Sequence, residues 1–172
     1  DYHRAAPRGI GNAKAIGNYS ASLYPLTMAK KEGFDEVIYL DANNENQIEE
    51  LGSANLFIVK DGIVKTPKLS GSILDGVTRN SVCKIASELL KLKVFETDVT
   101  INELIEADEV FCTGTAVVVT PVGKITYNNE VYEINKNQLG PIAGKCKELL
   151  SAIQRQEIDD PFGWIKPVIK GS

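Results

Sequence analysis

The sequence predicts one α/β or α+β domain, and three observations carry that expectation. The chain has 172 residues, 43% of them hydrophobic and 24% charged. That is enough chain to bury a sizeable core without disulfide or metal staples. Short β-branched runs alternate with segments of helical period, and no internal repeat or low-complexity linker divides them. The longest apolar stretch, Ala116 to Val119, falls far short of the roughly 20 residues of a membrane-spanning helix.

In chain order, residues 1–18 read as an extended segment and loop. Leu23, Leu26, Thr27 and Ala29 suggest a helix over 19–32, stopped by Gly33, with Pro25 in its first turns. Residues 36–40 form a β-branched strand. Residues 55–60 and 63–66 flank Asp61-Gly62, whose tolerance of positive φ predicts a two-residue hairpin. A helix over 78–90 follows Gly76, and residues 93–99 alternate as a strand. Thr100 and Glu103 form a capping box for a short helix ending at Ala107. Strands are expected over 108–112, 117–120 and 124–127. A last helix over 141–155 has Pro141 at its favoured first position.

A net charge of −4, with 19 basic residues scattered among 23 acidic ones, argues against nucleic acid as a partner. Three cysteines without CxxC spacing and one histidine offer too few ligands for a zinc site. They fit reduced thiols in the cytoplasm or an organelle such as a mitochondrion or plastid. The chain opens at Asp1, and its closing Gly171-Ser172 reads as a linker scar.

Four features could carry chemistry. Lys14 lies among small residues just ahead of a helix, where partial desolvation frees an amine for Schiff-base formation. Read alone, it is a loop lysine in solvent. Gly76-Val77-Thr78 places unpaired N–H groups at a helix start, a natural anion site, or equally a plain turn capped by Thr78. Cys112-Thr113-Gly114-Thr115-Ala116 puts hydroxyls and N–H groups at a strand end, which by itself also describes a β-turn. Glu49 and Glu50 lead into an apolar strand, where a buried carboxylate could face a protonated heteroaromatic nitrogen. Singly, such acids are more often surface residues.

Their order and spacing together resemble the class IV pyridoxal-phosphate aminotransferases, and within them the branched-chain amino acid aminotransferases. The succession is Lys14 with Gly17-Asn18-Tyr19, Glu50-x-Gly-x-x-Asn55-Leu-Phe, Leu74-x-Gly76-Val77-Thr78-Arg79, then Gly114-Thr115-Ala116 with Thr120-Pro-Val-Gly123. It spans nearly the whole chain, from His3-Arg4-Ala5-Ala6-Pro7 to Asp159-Asp-Pro-Phe-Gly-Trp164. The wording over residues 107–123 is most similar to the plant-type or eukaryotic branch.

The resemblance implies a mixed β-sheet pseudo-barrel surrounded by helices, the large cofactor-binding domain of fold type IV. It implies pyridoxal 5′-phosphate as cofactor, with Lys14 as the lysine bonded to it and the proton carrier of catalysis. Tyr19 matches the partner of the cofactor's 3′ oxygen, and Glu50 the carboxylate that holds the pyridine nitrogen protonated. Gly76, Val77, Thr78 and Thr115 match the phosphate site. Thr115 and Ala116 match the receiver of the substrate carboxylate, and Asn55 the residue that positions the Glu50 loop.

The implied reaction is ping-pong amino transfer between Leu, Ile or Val and 2-oxoglutarate, by a homodimer. A D-amino acid transaminase, an aminodeoxychorismate lyase and a non-catalytic homologue that binds only the cofactor or a partner stay open. Family members are about twice this length, so a small N-terminal domain, in the same or a separate chain, is expected to supply a phosphate-binding arginine and the substrate pocket. Two departures stand out. Arg8-Gly-Ile-Gly11 replaces the usual Gly-Gly-Thr-Gly, and Leu74-Asp75-Gly76 replaces Leu-Pro-Gly. The paired redox cysteines of some mammalian relatives are absent, so no such thiol switch is expected.

Overall fold

A computed structural model describes residues 2–166; Asp1 and the Gly171-Ser172 pair lie outside the described residues. The elements in chain order are α1 (Ile16–Lys31), β1 (Ile38–Leu40), β2 (Ile48–Leu51), β3 (Asn55–Lys60) and β4 (Ile63–Pro67). Then come α2 (Val77–Lys84), β5 (Val94–Thr97), α3 (Ile101–Ile105), β6 (Glu109–Gly114) and β7 (Val118–Pro121). A two-stranded sheet of β8 (Lys124–Tyr127) and β9 (Glu130–Glu133) precedes α4 (Pro141–Gln154).

The main sheet has seven strands and branches at β3, which pairs antiparallel with β2, β4 and β6. The pair of β4 and β5 is parallel, so the sheet is mixed. Beyond β5 the chain returns to the start of β2: Ile48 N–H donates to Val99 O at 2.9 Å, and Gln47 bridges Thr100. Strands β2 to β5 therefore curl round one interior, which is the expected pseudo-barrel. Leu56, Ile58, Val99, Leu104, Val110 and Cys112 fill that interior.

The opposite face of the same strands packs under helices. Phe57, Val59 and Phe111 meet Val82 on α2, Ile85 just after it, and Leu150 and Ile153 on α4. Because β3 is buried on both faces, Leu56-Phe57-Ile58-Val59 is a continuous apolar run and not an alternating one. The Phe57 and Phe111 rings stack at 5.0 Å, tilted by only 3°. The hairpin after β3 is as expected: Asp61 at φ 49° and Gly62 at φ 73° supply the two positive φ angles of a type I′ turn.

The capping box also forms. Glu103 N–H donates to Thr100 Oγ1, and Thr100 N–H to Glu103 Oε2. Helix α4 has no side-chain cap of its own. Glu109, buried at the start of β6, instead accepts from Ile142 N–H at 3.0 Å and Ala143 N–H at 2.9 Å. Its carboxylate meets the positive end of the helix. A Cβ on Gly140 would collide with that carboxylate, so the close approach requires glycine.

Several elements differ from expectation. Strands β2 and β9 are additional to the expected ones, because Glu49-Glu50 and Glu130 to Glu133 look too acidic for strands; β2 is fully buried despite both acids. Helix α1 starts at Ile16 and is inverted. Its buried positions are Asn18, Ser22 and Pro25, while Leu23 is 63% exposed. The helix predicted over 78–90 is α-helical only to Lys84 and widens into a π turn over Ile85–Leu89. Burial pushes the thiols of Cys83 and Cys112 up to about 11 and that of Cys146 to about 12, which leaves them protonated near neutral pH.

Phe57→Ala removes a wholly buried ring from the core between the sheet and the helices and is expected to cost about 3–5 kcal/mol in urea unfolding. Thr100→Ala, which deletes one half of a cap, is expected to cost about 1 kcal/mol. A Phe57→Ala loss no greater than that of Thr100→Ala would contradict this description of the core.

Candidate active site

The site is built on the loop that carries Lys14. Consecutive turns close it, with Gly9 N–H donating to Ala6 O and Ala13 N–H to Ile10 O. Asn18, buried in the first turn of α1, donates to Ile10 O at 2.8 Å and Ala13 O at 2.9 Å. That tie explains why α1 buries a polar side chain. On the other side Asn12 N–H donates to Gly71 O, and Gly11 lies so close to Ser72 that a Cβ would collide with its backbone. Lys14 stands between the loop and the helix, exposed, and its amine has no hydrogen-bond or ion-pair partner among the described residues. Tyr19, half-buried within α1, likewise leaves its phenol unpaired among the described residues.

Glu50 is the most constrained acid. It sits directly opposite Asn55 across the β2–β3 hairpin, so the two side chains share one face of the sheet. Asn55 Nδ2 donates to Glu50 Oε2 at 2.9 Å and also to Leu74 O at 2.9 Å. Leu74 N–H donates to Glu50 Oε1 at 2.9 Å, and the Arg4 guanidinium meets the same oxygen at 2.5 Å. Glu50 is 3% exposed. Burial pushes its carboxyl up to about 7, against the opposing pull of Arg4 and of the Leu74 N–H. An ionised carboxylate offers about four acceptor positions. Three are engaged here, and the open one is on Oε2.

Asn55 also reaches the start of α2. Its Oδ1 lies where a Cβ on Gly76 would stand, so only glycine admits the helix start so close to the strand. Gly76 caps α2 without a side chain, leaving the first-turn N–H groups of Val77 and Thr78 without intrahelical acceptors. Thr78 is therefore not the cap. Asp75, which replaces proline, accepts from Asn80 Nδ2 at 2.6 Å.

Thr113 pairs with Asn55 in the β3–β6 ladder, is 1% exposed, and its hydroxyl has no partner among the described residues. Beyond it, Thr115 and Ala116 are exposed in the turn between Gly114 and Val118. Gly114 sits against Ser53 and Ala54 of the β2–β3 turn. Val118 leaves the turn at φ 54°, a region that β-branched residues seldom occupy.

The structure thus joins Glu50, Asn55 and Gly76 by direct contact and sets the Lys14 loop against the Ser72 segment that leads to them. No hydrogen bond or ion pair among the described residues joins Lys14, Tyr19, Thr115 or Ala116 to that cluster. Sequence reasoning missed a role for Arg4, 5% exposed, which also donates to Gly11 O at 3.0 Å and to Ser72 O. It also missed Ser72, which donates to the buried Glu49. The available signal was an arginine in a Gly- and Ala-rich segment that precedes Lys14.

Strands wrapped round one interior and backed by helices have the architecture of fold type IV. The chain belongs to the class IV aminotransferases: the amino-transferase class IV family profile matches residues 2–125. It is 43% identical over 164 residues to the chloroplastic branched-chain-amino-acid aminotransferase 5 of Arabidopsis thaliana, covering 95% of this chain and 39% of that protein.

Among solved structures, the Escherichia coli branched-chain amino acid aminotransferase superposes with a TM-score of 0.85 at 35% identity, over 95% of this chain and 52% of that one. The Thermobaculum terrenum enzyme, solved in its pyridoxal-phosphate form, superposes with a TM-score of 0.81 at 28% identity, over 89% of this chain and 48% of that one. The chain spans about half the length of these relatives, or less.

The raised carboxyl of Glu50 has a measurable consequence. Its folded value lies above that of the unfolded chain, so its contribution to stability is fully present below about pH 4.5 and is lost as pH rises towards about 7. Glu49 is shifted in the same direction by burial. In cofactor-free protein, Glu50→Gln is expected to flatten the fall in stability between pH 5 and 7, by an amount on the order of 2–3 kcal/mol. Denaturation midpoints at several pH values check this. An unchanged slope in the variant would contradict it.

Proposed function

We propose that the chain is the cofactor-binding portion of a pyridoxal-phosphate-dependent branched-chain amino acid aminotransferase. The observation that carries this reading is Glu50: a buried carboxylate with one open acceptor position, beside a helix start with unpaired N–H groups. A cationic ring nitrogen bearing a nearby phosphate matches both. The unpartnered Thr113 hydroxyl fits the same need for a polar occupant. The cofactor, when bound, supplies an electron sink that stabilises negative charge developing at the substrate's α-carbon.

The roles of this chain's own residues follow. Glu50 Oε2 accepts from the ring nitrogen and keeps its proton in place. The N–H groups of Val77 and Thr78 hold the phosphate, and Gly76 lets the helix start approach. The Thr115 hydroxyl adds a phosphate contact, and the turn of Thr115 and Ala116 offers N–H groups to the substrate carboxylate. The Tyr19 phenol donates to the cofactor's 3′ oxygen. Lys14 Nζ would hold the cofactor at rest and, when free, would carry a proton to and from the substrate's α-carbon. Asn55 keeps Glu50 turned towards the ring.

The substrates on this reading are leucine, isoleucine or valine with 2-oxoglutarate, exchanged in ping-pong fashion. A small domain completes the pocket, and the working unit is a homodimer. The names of the relatives and the pyridoxal-phosphate form of the Thermobaculum terrenum enzyme support this choice.

With pyridoxal phosphate added, the protein is expected to absorb at about 410–430 nm and, once the small domain is supplied, to form glutamate from leucine and 2-oxoglutarate. Lys14→Ala is expected to abolish that absorbance and reduce turnover by about 10²–10⁴-fold or more. Turnover that survives the loss of Lys14 would contradict the reading. Cofactor binding without amino transfer to any branched-chain substrate would favour a non-catalytic homologue.

A further inference from the structure

Arg4 lies at the point where the segments of the site meet, yet none of the roles above falls to it. Its guanidinium is 5% exposed and touches Glu50 Oε1, Gly11 O and Ser72 O. Those partners belong to β2, to the Lys14 loop and to the turn that leads into α2. Glu50 is its one ion-pair partner among the described residues.

We propose that Arg4 is a positioning residue that acts through Glu50, fixing Oε1 so that Oε2 faces the cofactor and keeping the shared proton on the ring nitrogen. This deepens the assignment of Glu50 made above and rests on it. The geometry supplies the reason. Arg4 and the Leu74 N–H together fill Oε1, and Asn55 takes one position on Oε2. The remaining lone pair of Oε2 is the single place where a further donor can bind.

The charge supplies the second reason. A buried carboxylate with no cation beside it holds its own proton. Once protonated, it cannot also accept from a protonated nitrogen. Other charged groups act on Glu50. Glu49, next to it on β2, raises its proton affinity; Arg79, on α2, lowers it. Arg79 donates to Glu96 and Pro67 O, so Arg4 is the only one of the two arginines in direct contact with Glu50. A guanidinium is also the side chain suited to this place. It stays charged when buried and serves several acceptors in one plane.

The test is a carboxyl titration of Glu50 by carbon NMR in cofactor-free protein, which needs neither the cofactor nor turnover. Arg4→Gln, which keeps a donor but removes the charge, is expected to move the Glu50 midpoint upward by about one pH unit or more. Arg4→Lys, which keeps the charge, is expected to leave it nearly in place. In the cofactor-loaded protein, Arg4→Gln is then expected to shift the ring-nitrogen resonance towards its unprotonated position, and Arg4→Lys to restore it.

A midpoint that stays put in Arg4→Gln overturns the proposal, even if cofactor binding weakens, because Arg4 would then only hold the loops together. Should Arg4→Gln fold poorly, a displaced midpoint in Arg4→Lys overturns it equally, and an undisplaced one supports it. Failure of the Glu50 reading shows separately. In that case Glu50→Gln with Arg4 intact leaves cofactor affinity and absorbance unchanged.

Discussion

Putting an arginine and a glutamate together out of reach of water removes both from a solvent that stabilises them strongly, and their attraction repays that only when every remaining polar position is served. The Arg4–Glu50 pair meets most of that condition: on the glutamate side Leu74 N–H and Asn55 Nδ2 leave a single position open, on Oε2. On the arginine side Gly11 O and Ser72 O serve the guanidinium, while Arg4 Nε keeps no partner among the described residues. Three segments far apart in sequence are thereby held at one point. The lysine loop, the β2–β3 hairpin and the approach to α2 owe their mutual arrangement to it.

The rest of the fold is what makes such a point rigid. Strand β3 is buried on both faces, so its first residue, Asn55, is fixed between β2 and β6. That fixed asparagine sets how closely Gly76 and hence α2 can approach, and its ladder partner is Thr113 with its unserved hydroxyl. Apart from the first turn of α2, the helices behind the sheet serve to hold Phe57 and Phe111 in place. Packing on one side of the sheet therefore positions polar groups at its edge.

Much of this was legible in the sequence where a local rule had no competitor. Asp61-Gly62 fixed its turn, Thr100 with Glu103 its cap, and Pro141 its helix start. The candidate site was legible through spacing. The order and spacing of the motifs singled out Glu50 and Asn55, but the tight turn that sets them opposite each other was not legible, because β2 was not expected as a strand. What could not be read depended on distant partners. Strand β2 carries two acids that look solvent-exposed until Arg4 and Ser72 are placed beside them. Helix α1 turns Asn18 inward because the lysine loop offers it two carbonyls. In both cases a tertiary hydrogen bond outweighed the hydrophobic pattern.

The most direct test of the account is to reduce the pyridoxal-phosphate-loaded protein with borohydride, digest it and locate the pyridoxyl group by mass spectrometry. A single adduct on the peptide containing Lys14 is the predicted result. Adducts spread over surface lysines such as Lys30, Lys91 and Lys136, with none favoured at Lys14, would contradict the account.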